Sequence, residues 1–425
     1  MDVYNLVSFV GLFVLMALAW CVSTDRRRMN WRAIAWGVAM QLMLGALVFR
    51  APGSRAVFSW LNRFVEGLLE AATAGGRFVF GDLAVNKPPW GFVLDTQALP
   101  TIIFFSAVMA LLYYWRIMPA IVRGFSWLFS RLMRISGAES LCTASNIFVG
   151  IESATTVRPY LREMTRSELC TVLTAGMATI ASSVLGFYWL ILHETFPDIA
   201  GHLVSASILS APAAIVMSKI LCPETGEPLT LGHTVEPHVE TEPGAIAAVI
   251  SGALAGVKLV VGIVALLIAL LGIIALVDLG LYWTGRGLDA GLGLFDYTLT
   301  VELSLTTLLG WVFRPLAAVI GVTWQDVGVA GELLGQRLVA TEVPAYMKLA
   351  KLIGEGALEP RSRVVIAYAL CGFAHVASLA IFVGGIAALV PERRSDLAAV
   401  GPRALLAATL ACLMTGAVAG TFFLG

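Results

Sequence analysis

The sequence predicts an all-α polytopic membrane protein with eight transmembrane helices, two opposed re-entrant hairpins in an inverted repeat, and interfacial helices. Three observations carry this expectation. Of 425 residues, 58% are hydrophobic and only 13% charged, whereas soluble domains carry roughly 25% charge. Apolar runs of membrane-spanning length recur along the chain. Two further apolar segments are interrupted by glycine, small polar residues, an acid and proline. Irregular backbone at membrane depth is tolerated only where protein or a cavity satisfies its polar groups. The formal net charge is zero, which indicates no nucleic-acid partner.

The elements follow in order. The first apolar run predicts a helix over 5–22; it has no basic n-region and no small-residue cleavage pattern, and reads as a retained helix. "TDRRRMNWR" separates it from a second helix over 33–49. Residues 54–80 carry Glu66, Glu70 and Arg77 among apolar residues at helical spacing, so this helix lies on the membrane surface or caps a bundle. "NKPPWG" breaks the chain before a third crossing over 97–115. In "RIMPAIVRGFSWLFSRLMR" arginines alternate with apolar residues, which suits an interfacial helix; a charged connector is the alternative. Further crossings are expected over 169–192, 203–219, 246–277, 363–390 and 404–424. The arginine clusters after the first and third crossings and in "PERRSD" then fall on one side, which the positive-inside rule makes cytoplasmic. That predicts a multi-pass inner-membrane protein with both termini outside.

The interrupted segments are 139–162, "ESLCTASNIFVGIESATTVRPYLR", and 297–346, ending "GELLGQRLVATEVPAY". As hairpins, the first enters from inside and the second from outside. Opposed hairpins followed by helices with small polar residues make an inverted repeat, the transporter architecture that builds a midplane site from broken helices. A channel shares such hairpins, but no filter-like run of carbonyls is evident. The chain divides into a scaffold part (1–135), the first hairpin with two helices (136–222), a polar linker, long helix and outer segment (223–296), the second hairpin and its helix (297–390), and a final scaffold helix (391–425).

Glu152 in "VGIESATT" and Glu342 in "VATEVPAY" are the principal candidates. A carboxylate at membrane depth is costly and is usually partnered or functional. The competing reading makes each a cap on a half-helix. Pro344 ends or breaks a helix beside Glu342. Asn146, Val149, Thr179 and Ile180 suggest a cation site, since sodium takes amide, hydroxyl and freed carbonyl oxygens; Asn146 satisfying hairpin backbone is the equal alternative. Lys258, Asp278, and the Arg158–Pro159 and Arg314–Pro315 pairs read as snorkelling or terminating residues. His375 and Ser378 in "YALCGFAHVASLAIFVGG" share one helix face, flanked by Phe373. No nucleophile–base pair, phosphate loop or metal triad stands out, so an enzyme is not expected.

The pieces "SNIFVG" with "VRPYL", "SELCTVLTAGMATIASSVLGFY", "SAPAAIVMSKILCPETGEP", "GWVFRPLAAVIGV", "GELLGQRLVATEVPAY" and "YALCGFAHVASL" are similar to the concentrative nucleoside transporter family, from about residue 90 onward. The resemblance implies a homotrimer of eight-crossing chains that symport nucleosides with sodium, or with protons in some members. It implies that Glu342 and Ser378 hold the sugar, that Phe373 lies near the solute, and that His375 replaces a sugar-binding asparagine. It places Glu152 facing the base, Val184 as an apolar wall, and Asn146, Val149, Thr179 and Ile180 on sodium.

Three positions depart from the family pattern. Ile151 stands where a polar pair precedes the glutamate, Thr341 stands for asparagine beside Glu342, and His375 stands for asparagine. The expected function is therefore a sodium-driven symporter of nucleosides or close analogues, acting by alternating access. Proton coupling, another hydroxylated nitrogenous solute, and a channel are the alternatives.

Overall fold

The computed structural model describes residues 2–51, 53–84, 96, 99–238, 242–292 and 303–424. Within them the regular elements are helices, apart from one isolated bridge between Ser136 and Leu231. The expected break at 86–91, residues 293–296, and the first residues of the second hairpin, 297–302, lie outside the described residues.

Helices α1 (Val3–Cys21) and α2 (Trp31–Arg50) turn one side inward, with Leu12, Leu15, Ala33 and Met40 buried, and leave Phe13, Trp36 and Met43 exposed. Helix α3 (Ser54–Phe80) is amphipathic: Val65, Leu69 and Ala72 recur at helical spacing and are buried. Helices α4 (Leu99–Tyr114) and α5 (Ile117–Met133) form a pair bent by 78°. The bend falls where Arg116 adopts a left-handed φ of 61°. Six described helical stretches, Arg166–Leu192 counted as one of them, are long and apolar enough to cross a membrane, or seven if the bent pair counts as one span. The chain is thus an all-α, multi-pass membrane protein.

Helix α6 (Gly137–Asn146) is capped by Ser136, whose side chain accepts the Glu139 N–H. A 3₁₀ turn (Ile151–Val157) follows, then α7 (Arg166–Ala178), opened by a capping box between Thr165 and Glu168. The crossing expected over 169–192 is not one continuous helix. It breaks at Thr179, which is extended (φ −108°, ψ 168°), and resumes as α8 (Ser182–Leu192). Ser207 on α9 (Ile199–Leu221) stabilises this break, donating to Ile147 O at 2.8 Å and Ile180 O at 3.4 Å. Ser182 N donates to Phe148 O at 2.8 Å. Tertiary partners thus replace the helical bonds lost at the break.

Helix α10 (Ala245–Leu292) has 48 residues and outruns the expected 246–277. Asp278 does not end it. Its Oδ1 accepts the Leu305 N–H at 2.7 Å, at the start of α11 (Leu305–Val319), so the charge is satisfied by a neighbouring helix N-terminus. Most of α10 is exposed apolar surface that suits lipid.

Helices α12 (Val327–Ala340) and α13 (Glu342–Gly354) meet at Thr341. Pro344 sits in the first turn of α13, where its missing N–H is tolerated, so it does not break the helix. The helix expected over 363–390 is also two helices, α14 (Pro360–Leu370) and α15 (Val376–Leu389). The break requires glycine: Gly372 has φ +129°, and a Cβ there would lie 2.6 Å from Ala178 O. His375 is therefore the N-cap of α15 and not a mid-helix residue.

Helix α16 (Arg394–Phe422) packs against α1, α7, α9 and α14 at the centre of the molecule. Buried Arg361 ties these parts together. It donates to Gly321 O, Tyr4 O, Ser8 Oγ and Gly420 O, each at 2.8 Å, and also bonds Asn5 Oδ1. Lys219 is buried too, with Nζ 2.6 Å from Glu139 Oε1 and 2.9 Å from Ser167 Oγ, joining α9 to α6 and α7. Buried charges are retained where partnered, and here each joins separate helices.

Candidate functional site

The turn after α6 and the breaks between α7 and α8, α12 and α13, and α14 and α15 converge. A cavity of about 110 Å³ is lined by Glu152, Val184, Glu342, Phe373, His375 and Ser378. All six solute-site candidates from the sequence therefore meet in one place. Leu259 and Ile263 of α10 supply an apolar wall.

The polar end is built around Glu342, the first residue of α13 and 4% exposed. Tyr188 OH donates to its Oε1. His375 Nε2 lies 2.9 Å from its Oε2. The imidazole also touches Ser378 twice. Ser378 N–H donates to Nδ1 at 3.2 Å, and Ser378 Oγ lies 2.8 Å from Nε2. Because Nδ1 accepts the backbone N–H, Nε2 carries the proton of a neutral ring and faces Glu342. Oε1 thus has a protein donor in Tyr188, whereas Oε2 lies beside the imidazole without a hydrogen-bond partner among the described residues, which leaves it open to a solute hydroxyl. Tyr188 is held from behind by Tyr346, with ring centroids 4.8 Å apart.

Tyr188 is the residue that sequence reasoning missed. The signal was present, since Tyr188 follows Val184 by four positions and helical spacing puts both on one face of α8. What hid it is that a tyrosine in an apolar helix reads equally well as packing.

Glu152 differs from Glu342. Its side chain is exposed to cavity space, and among the described residues no cation within ion-pair distance partners it. It stands between the smaller cavity and a second chamber of about 430 Å³, which it lines together with Tyr113.

The four cation candidates gather at the ends of α6 and α7. Asn146 is fully buried; its Nδ2 donates to Cys142 O at 3.1 Å, and its Oδ1 accepts from Ser153 Oγ at 2.8 Å. Thr179 Oγ1 donates to Ala175 O at 2.9 Å, which leaves its oxygen lone pairs free. Ile180 O is at the helix break, and Val149 lines the larger chamber. Two helix C-termini point their negative dipole ends at this region, which favours a cation. The donor set is all oxygen, as a hard cation requires. Among the described residues no cluster of His, Cys, Asp and Glu suits a transition metal.

Residues 202–420 match the family "Na+ dependent nucleoside transporter C-terminus", residues 10–83 its N-terminal counterpart, and residues 96–195 the family "Nucleoside recognition". The chain belongs to the Na+ dependent nucleoside transporter family. It is 37% identical to solute carrier family 28 member 3 of Mus musculus over 98% of this chain and 58% of that protein. It is 36% identical to sodium/nucleoside cotransporter 1 of Rattus norvegicus over 99% of this chain and 64% of that protein. The chain thus spans 58–64% of the length of these two mammalian relatives. An uncharacterized transporter of Haemophilus influenzae is 34% identical over 98% of this chain and 97% of its own. Among solved structures, CNTnw in an inward-facing substrate-bound state superposes with a TM-score of 0.86 at 34% identity, covering 99% of this chain and 98% of that one. A CNTnw variant in an intermediate 1 state gives 0.88 at 34% identity over the whole of both chains. Within this Na+ dependent nucleoside transporter family, the nucleoside-recognition match spans Asn146, Val149, Glu152, Thr179, Ile180 and Val184. The C-terminal match spans Glu342, Phe373, His375 and Ser378.

Proposed function

We propose that this protein is a secondary active symporter that imports nucleosides or close analogues by alternating access, driven by a sodium gradient. One observation carries the reading. Two carboxylates and the polar start of a broken helix share one cavity, beside oxygens gathered at two helix C-termini. In this reading sodium binds Asn146 Oδ1, Thr179 Oγ1 and the carbonyls of Val149 and Ile180. It thereby neutralises the helix ends and braces the first hairpin. Glu342 and Ser378 take solute hydroxyls, His375 keeps Glu342 oriented, Phe373 and Val184 flank the solute, and Glu152 accepts from its nitrogenous end. Leaving buried carboxylates without solute is costly, which couples the two occupancies.

The wider reading has eight crossings with two opposed hairpins, both termini outside the inner membrane, and a homotrimer. The exposed apolar flank of α10 supports burial against lipid or neighbouring subunits. The five-part division of the chain, with scaffold at 1–135 and 391–425, belongs to the same proposal.

Uptake of labelled uridine into proteoliposomes tests it. Uptake should need an inward sodium gradient at fixed pH and vanish in Glu342→Ala. The 2.9 Å contact of His375 with Glu342 favours one rival, proton coupling. Uptake indifferent to sodium but abolished by collapsing the proton gradient would establish that rival. Failure of every nucleoside would leave another hydroxylated nitrogenous solute, and conduction without a coupled ion would make the protein a channel.

A further inference from the structure

The cavity that gathers the six solute-site residues, at about 110 Å³, is smaller than most ligand pockets, which run from about 300 to 1,000 Å³. The neighbouring chamber, about 430 Å³, falls within that range. The two share Gly150, Glu152 and Ser183, so a solute anchored at Glu342 extends past Glu152 into the larger space. Most of its lining is apolar, but polar side chains enter it. Tyr113 and Ser106 reach it from α4, Ser183 from α8, and Thr155 and Glu152 from the first hairpin.

We propose that this larger chamber takes the nitrogenous end of the solute, and that the Tyr113 hydroxyl is a specificity-determining hydrogen-bonding group there. The proposal rests on the nucleoside reading above. A heterocyclic base offers N–H donors together with ring nitrogen or carbonyl acceptors. Glu152 supplies an acceptor and has no ion-pair partner among the described residues. Ile151, next to it in sequence, has no hydrogen-bonding side chain. The complementary donor comes from elsewhere in the chamber, whose lining also carries Arg116, His238 and several hydroxyls; among these Tyr113 is held only by one weak contact. Tyr113 is half-buried, and its OH lies 3.3 Å from Ser145 Oγ on α6. A contact that long between two hydroxyls is weak and is readily exchanged for a solute acceptor. Recognition would then come partly from α4, outside the hairpins and helix breaks that hold the rest of the site.

The test uses the purified full chain in sodium-containing buffer, with uridine, inosine and 2′-deoxyuridine as probes. Tyr113→Phe removes the hydroxyl. Ser145→Ala removes its present partner and leaves it in place. Tyr113→Phe should weaken uridine or inosine binding by about threefold to tenfold and change the uridine-to-inosine ratio. The uridine-to-deoxyuridine ratio should stay as in the wild type, because that difference lies at the sugar. Ser145→Ala should bind all three as the wild type does. Unchanged binding in Tyr113→Phe, an equal loss for every probe, or an equal loss in Ser145→Ala would overturn the proposal. If the wild type binds no nucleoside, and Glu342→Ala is indistinguishable from it, the nucleoside reading itself fails.

Discussion

At the scale of single residues, Glu342 is the centre of the polar end, set by one donor and one close imidazole. Tyr188 OH bonds one oxygen and His375 Nε2 approaches the other. Hydrogen bonds to a charged group are worth about 1.5–3 kcal/mol. Tyr188→Phe should therefore weaken solute binding by about tenfold or more; titration calorimetry at saturating sodium would check this. His375 has a double task, capping α15 through Nδ1 and facing Glu342 through Nε2. Asparagine accepts a backbone N–H at an N-cap and also carries a donor. His375→Asn should retain sodium-driven uptake within about threefold, whereas His375→Ala should lose the cap, about 1 kcal/mol, and most uptake. Equal activity in the two variants would deny His375 a role in the site.

At the scale of elements, the breaks do what continuous helices could not. Thr341 joins α12 to α13 with φ 83° and ψ 170°, a region that is essentially restricted to glycine. A β-branched residue held there costs of order 1–3 kcal/mol, and the strained bond immediately precedes Glu342. Thr341→Gly should raise the thermal midpoint, by an amount equivalent to about 1 kcal/mol once glycine's own entropy is counted. It should also weaken solute binding, because the glutamate loses a fixed starting point. At the α14–α15 break the opposite applies. Gly372→Ala places a Cβ 2.6 Å from Ala178 O at φ +129° and should destabilise the chain by about 3 kcal/mol. Thermal unfolding in detergent reads both variants. Ser207 bridges the carbonyls of Ile147, just past α6, and Ile180, at the α7–α8 break. Ser207→Ala should raise the sodium concentration for half-maximal uptake by several-fold, with solute affinity at saturating sodium little changed.

At the scale of the whole molecule, Arg361 links the start of α14 to α1, to α16 and to Gly321 through backbone and side-chain acceptors. Arg361→Met leaves several buried acceptors unpaired at once, so a loss of about 3–5 kcal/mol is expected. Far lower recovery of folded protein would show it even where unfolding is irreversible. The helices themselves were largely legible in sequence. Composition and span length determine an all-α membrane protein, the amphipathic pattern of 54–80 marks α3, and the bent pair falls at the expected interfacial segment. The failures have one cause. The crossings expected over 169–192 and 363–390 are apolar enough on average to read as single spans, and hydropathy cannot distinguish a straight span from one whose broken backbone is satisfied by distant serines and carbonyls.

The chain by itself determined which residue types stand at the candidate site: two acids in interrupted apolar segments, an amide, small hydroxyl residues, and a histidine within an apolar run. Those follow from the cost of burying polar groups, which makes each exception conspicuous. Only the tertiary structure decided how they are used. It made His375 an N-cap facing Glu342, brought Tyr188 to the same carboxylate, and placed Glu152 between two chambers. Those outcomes depend on helix breaks and on contacts between residues far apart in the chain, and local pattern carries no record of such contacts.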